Sequence, residues 1–181
     1  MDNGLIPHRY AKALYKYALE HDNTDEMYEI AKAVIQSFRD NPDLQKVLSN
    51  PFVKREEKER LLISAAGKGV DESYGRFVRL VLGHRRDEFF CSMMYAYRDI
   101  YRDEHHICQA HITTASELET TLMEKLRGLV TKAFAGSTVE FSESVNPDII
   151  GGFVIDVESV RMDASVSNEL EQLRQTLLRS N

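Results

Sequence analysis

The chain has 181 residues, with 23 Lys+Arg against 29 Asp+Glu and a formal net charge of -6. That acidic balance argues against duplex DNA as the main partner, because phosphate binding needs a concentrated positive surface. No apolar run approaches the roughly 20 residues that span a bilayer, and the N-terminal residues lack a signal-peptide layout. The two cysteines, Cys91 and Cys108, have no paired spacing and read as reduced cytosolic thiols.

Charge and pattern change at the same place. Residues 1–105 carry 17 basic and 18 acidic side chains, whereas residues 106–181 carry 6 and 11. The periodicity is helical before Glu104 and alternating, with β-branched stretches, after Ile107. The expected division is therefore a helical bundle over 1–105 and a small α+β domain over 106–181.

In chain order, a first helix is expected from Pro7 to Glu20, with Pro7 suited to a first turn. Asn23 and Glu26 form a capping-box-like start for a second helix, through about Arg39. Asn41-Pro42 opens a short third helix that ends before Asn50-Pro51. A fourth follows Lys54 and stops at Gly67 and Gly69. Asp71 caps a fifth that ends near Gly83, and a sixth runs from Asp87 to Glu104. Short connections favour an antiparallel six-helix bundle.

Beyond it, Ile107 to Thr114 alternates as a strand. Ser116 and Glu119 suggest a capping box for a helix ending near Ala135-Gly136. Val139, Phe141 and Val145 suggest a second strand, Asn146-Pro147-Asp148 a turn, and Phe153, Ile155 and Val157 a third strand. A last helix follows Ser165, with Val166, Leu170, Leu173 and Leu177 on one stripe. The expected class is α+β, mainly helical: a six-helix bundle followed by a β-α-β-β-α unit.

The chain contains no Walker loop, no G-x-G-x-x-G and no G-x-S-x-G elbow. Gly151-Gly152 precedes a strand rather than a helix, so it suits close backbone approach better than phosphate binding. His105, His106, Cys108 and His111 have zinc-ligand chemistry, but a strand turns Cys108 and His111 to opposite faces. No catalytic residue, cofactor or metal is expected. An alternative is a nucleic-acid-binding module using Arg76, Arg79, Arg85 and Arg86, which could contact phosphates.

A sharper signal is surplus apolar surface. On the first helix Arg9, Lys12, Lys16 and Glu20 occupy one narrow arc, while Tyr10, Ala13, Leu14, Tyr17 and their neighbours fill roughly 240° of the wheel. On the fifth helix Tyr74, Phe77, Val78, Leu80, Val81 and Leu82 cover roughly 200°. A bundle helix needs an apolar stripe of only a little over about 100°. The expectation is a groove between these helices for an amphipathic partner helix, lined by Tyr10, Ala13, Leu14, Tyr17, Phe77, Leu80 and Val81. A charge at Phe77 is expected to weaken that partner.

Arg9-Tyr10-Ala11-Lys12-Ala13-Leu14, Phe77-Val78-Arg79-Leu80-Val81-Leu82 with Arg86, Pro147 to Ile155, and Met162-Asp163-Ala164-Ser165-Val166 with Leu170 carry a resemblance over essentially the whole chain. Together they resemble the delta subunit family of the F-type ATP synthase, related to the mitochondrial oligomycin-sensitivity-conferring protein. Two places depart from that pattern: Ser167-Asn168-Glu169 replaces an Arg-Gly stretch, and His84-Arg85-Arg86 stands where the family often has Asn before Arg. The resemblance implies a non-catalytic stator subunit at the cytoplasmic face of the bacterial membrane. It implies that the N-terminal domain binds the alpha subunits of the catalytic head and the C-terminal domain the b subunits of the peripheral stalk. Apolar docking would make head binding weakly dependent on salt.

Overall fold

The structure, a computed structural model, describes residues 4–67 and 71–179. It contains two compact units, Met1–Glu104 and His105–Asn181.

The first unit is helical: α1 (Leu5–Glu20), α2 (Thr24–Asp40), α3 (Asp43–Ser49), α4 (Arg55–Ala65), α5 (Glu72–Gly83) and α6 (Phe90–Glu104), the last led by a 3-10 turn at Asp87–Phe89. Phe90, Met93, Met94, Tyr97 and Tyr101 recur at helical spacing, so α6 turns one apolar face inward and packs between α1 and α2. Ala11 and Ala18 of α1 and Ala31 of α2 are fully buried; these small side chains let the backbones approach. Pro7 falls in the first turn of α1, where its missing N–H has no carbonyl to seek.

Several buried polar groups find partners, although the buried Asn23 Oδ1 has none. The Tyr74 hydroxyl donates to the Leu62 carbonyl at 2.9 Å, and that of Tyr97 to Thr24 at 3.2 Å. Burial pushes both phenols well above their ordinary pKa. The buried Lys58 ammonium donates to the Leu48 carbonyl and the Asp87 carboxylate, tying α4 to the turn before α6. A charge at this depth needs such a partner.

The start of α2 departs from expectation. Asn23 makes no side-chain cap; its amide instead donates to the Asp71 carboxylate at 2.6 Å and the Ser73 hydroxyl at 3.0 Å. Asp71 does cap α5, accepting from the Ser73 N–H at 3.3 Å. The Ser73 hydroxyl above all, with backbone N–H groups and Asn23, holds the Asp71 carboxyl below its usual range against the opposing effect of burial. Gly67 follows α4 in the left-handed region, whereas Gly69 lies outside the described residues.

The second unit comprises β1 (Ile107–Thr114), α7 (Thr120–Ala133), β2 (Thr138–Val145), β3 (Gly152–Val157), β4 (Val160–Ser165) and α8 (Val166–Arg179). The sheet order is β2-β1-β3-β4, with β1 and β2 parallel and the remaining pairs antiparallel. A parallel neighbour needs a crossover, which α7 supplies. Ala110 and Ile112, Ile155 and Val157, and Leu126 and Val130 of α7 form the core.

The α+β class is as expected, but the order gains a strand, β-α-β-β-β-α. Residues 160–165 pair with β3 through a two-residue turn, Glu158-Ser159, in which Glu158 has φ 50°. Nor does Ser116 cap α7: the helix starts later, after Glu119, without a side-chain cap. The reading of Gly151-Gly152 as close-approach glycines fits the geometry. Gly152 has φ +74°, and a Cβ there would lie 2.1 Å from the Ala164 carbonyl oxygen. Gly152→Ala combines a strained backbone with a clash against a neighbouring strand, so it should destabilise the protein by more than about 2 kcal/mol in urea unfolding.

Candidate functional site

The main packing partner of α1 is α6, and that of α5 is α4. Between α1 and α5 polar side-chain tips make two bridging contacts. Tyr10 Oη and His84 Nδ1 are 2.8 Å apart at one end of this seam. At the other, Arg76 Nη1 donates to Tyr17 Oη at 3.3 Å, and Asn23, just beyond α1, holds the start of α5. Ala13 and Leu80 lie between these ties, both exposed.

The seven expected contact residues therefore split. Leu14, Phe77 and Val81 point into the bundle's own core; Phe77 is 6% exposed and packs on Phe90 with ring centroids 5.9 Å apart. Tyr10, Ala13, Tyr17 and Leu80 remain reachable, Leu80 being 49% exposed. About half of the wheel surplus is thus explained by α1 and α5 lying in the bundle, and half is open seam. Sequence reasoning missed Asn23, Arg76 and His84 as the groups that bridge the seam. Only the departure at His84 from the family pattern signalled one of them.

The four arginines of the nucleic-acid alternative do not make one positive surface. Arg76 pairs with Glu72 at 2.8 Å, and Arg79 lies 3.7 Å from Glu59. Arg85 lines a cleft of about 690 Å³ together with Arg55, Lys58, Asp87 and Glu88. In the second unit His111 and Cys108 occupy opposite faces of β1. Both ring nitrogens of His111 meet serines, Ser142 at 2.8 Å and Ser144 at 2.9 Å. Among the described residues, no group of three or more His, Cys, Asp or Glu is placed to hold a metal ion.

The second unit exposes apolar surface of its own. α8 buries no residue, and its stripe of Val166, Leu170, Leu173 and Leu177 is exposed, Leu173 at 61%. On the sheet, Met162 pairs with Ile155 and Val160 with Val157, so both belong to the core face, yet Met162 is 57% exposed. Met123 and Arg127 of α7 line a cleft with Glu143 and Val145 of β2. Leu122 and Leu129 lie on the opposite flank of that helix, toward β3 and β4, and are exposed.

Two compact units, each with exposed apolar side chains along a helix, have the makeup of a docking protein. Comparison with known proteins gives the family. The profile of the ATP synthase delta (OSCP) subunit matches residues 6–177. The ATP synthase subunit delta of Phocaeicola vulgatus is 38% identical over 98% of this chain and 96% of its own length. That of Parabacteroides distasonis is 38% identical over 98% of each, and that of a Prochlorococcus marinus strain 32% over 91% of each. A chain of the Toxoplasma gondii mitochondrial ATP synthase hexamer shares the fold, with TM-score 0.72 over 95% of this chain and 97% of that one, at 18% identity. The chain belongs to the ATP synthase delta (OSCP) subunit family, and so is a structural stator subunit of a membrane-associated complex. No helix among the described residues is long and apolar enough to cross a membrane.

Because Phe77 is core and Leu80 is surface, their aspartate variants should separate in unfolding experiments. Phe77→Asp buries a charge and should lose more than about 3 kcal/mol, while Leu80→Asp should stay within about 1 kcal/mol of the parent.

Proposed function

We propose that this chain is a non-catalytic connector on the cytoplasmic face of the bacterial cell membrane. In this reading its first unit binds the N-terminal helical segments of the alpha subunits along the α1–α5 seam. Its second unit holds the b subunits of the peripheral stalk, with Leu170 and Leu173 of α8 among the contacts. The observation that carries the reading is the seam. Two helices are bridged by polar tips at both ends, and Ala13 and Leu80 stand exposed between them. We read this apolar strip as the trough that an amphipathic helix fills. Tyr10 and Tyr17 at its ends offer apolar area with a hydroxyl, a combination enriched at interfaces.

The task of such a connector is mechanical. Torque from the turning central stalk acts on the head, and the connector must hold through many turnovers without itself reacting. Slow dissociation matters more than fast encounter, and buried helix-in-groove contacts favour it. The exposed leucines of α8 give the second anchor the same physical basis: an amphipathic helix whose apolar stripe is turned to solvent.

Calorimetry with a synthetic peptide of the alpha-subunit N-terminal segment tests the assignment. Leu80→Asp should weaken the peptide at least about tenfold, the effect of one desolvated charge at an apolar contact, while Leu173→Asp should leave it unchanged and instead abolish capture of the b subunits. Equal peptide affinity for the parent and for Leu80→Asp would move the head contact off the seam.

A further inference from the structure

The seam is electrically asymmetric along its length. Tyr10 meets His84 and Tyr17 meets Arg76, so α1 and α5 run antiparallel across it. Their own helix dipoles therefore point in opposite directions and largely cancel, and charged side chains set the field. At the Tyr17–Arg76 end stand Glu20, Asp22, Glu26 and Glu72, all exposed, with half-buried Asp71, five carboxylates against the Arg76 guanidinium and the exposed Lys16 ammonium. At the Tyr10–His84 end stand the exposed Arg9, Arg85 and Arg86. The Arg55 guanidinium lies there too, beside Gly83 at the end of α5. The carboxylates nearest to it in the chain are Asp87, which is paired with Lys58, and Glu88.

The two ends are about two helical turns apart, roughly 10 Å. That exceeds the screening length of about 8 Å at physiological salt, so the fields at the two ends do not average out. A helix lying in the trough brings a positive partial charge at its N-terminus and a negative one at its C-terminus. One orientation places each terminus against the opposite sign; the other places both against like sign.

We infer that the seam fixes the polarity of the helix it binds. The N-terminus of that helix lies at the Tyr17–Arg76 end and its C-terminus at the Tyr10–His84 end, so that it runs parallel to α5 and antiparallel to α1. The inference rests on the head-binding reading of the seam, and it adds a salt-sensitive component to what the apolar floor alone would give.

A spin-labelled peptide of the alpha-subunit N-terminal segment, titrated into the isotope-labelled full chain, reads the polarity directly. A label on the peptide N-terminus should broaden the amide signals of Tyr17 and Arg76, and a label on its C-terminus those of Tyr10 and His84. The reverse pattern, or equal broadening at both ends from either label, would overturn the polarity while leaving the docking site in place. Failure of the unlabelled peptide to bind would overturn the docking reading itself, and the polarity with it. As a second measurement, the double variant R9E/R86E changes two exposed residues and should keep the parent's melting temperature. It should bind the peptide about tenfold more weakly, an effect that shrinks as salt is raised. Undiminished affinity would remove the field as the orienting force.

Discussion

The constraint on which the rest depends is that α1 cannot serve α6 and α5 equally. Its small and apolar residues, Ala11, Leu14 and Ala18, face the bundle interior, and α6 takes that side. The next side of the wheel, through Tyr10, Ala13 and Tyr17, is left toward α5, where the Tyr10 and Tyr17 hydroxyls reach across to His84 and Arg76. Exposed polar contacts of this kind contribute little stability individually, so they act as spacers more than as glue. What holds α5 in place is the interior, Tyr74, Val78 and Val81, together with the Asn23–Asp71–Ser73 cluster at its start. The proposed docking seam follows from this division, with Ala13 and Leu80 exposed between its two ties.

The second unit solves a different problem with the same materials. A four-stranded sheet is covered by α7 over β2, β1 and β3, and the core residues Ile155 and Val157 mark the limit of that cover. Past it Met162 and Val160 continue the apolar face into solvent, and α8 leaves the sheet edge without burying a single residue. A unit this small has little apolar area to spare for display. Leaving it exposed is consistent with a chain that operates inside an assembly, which is where its family belongs.

Much of this was legible in residues. The helices of the first unit announce themselves through period and punctuation: Asn41-Pro42, Asn50-Pro51 and Asp71 each fall at a real boundary. β1 could be read from strict alternation. The strand that was missed, Val160–Ser165, is an edge strand whose Arg161, Met162, Asp163 and Ala164 lack β-branching and whose apolar members are exposed. Its hairpin turn, Glu158-Ser159, has neither Asn nor Gly although Glu158 takes positive φ. Nothing local marked it. The Asn23 capping box failed for a related reason. Asn23 is drawn away by tertiary partners 48 and 50 residues on, and a local motif carries no information about that competition. At the site, the wheel gave the right pair of helices but could not divide core from seam. Phe77 and Leu80 are equally apolar in sequence, and only the position of Phe90 against one of them decides which is buried.

Hydrogen–deuterium exchange of the full chain, with and without the isolated catalytic head, measures the claim at backbone level. The account predicts that protection on head binding concentrates in residues 10–17 and 76–84 and leaves α8 as it was. Protection confined to the second unit, or spread over the α3–α4 side of the bundle with the seam unchanged, would contradict it.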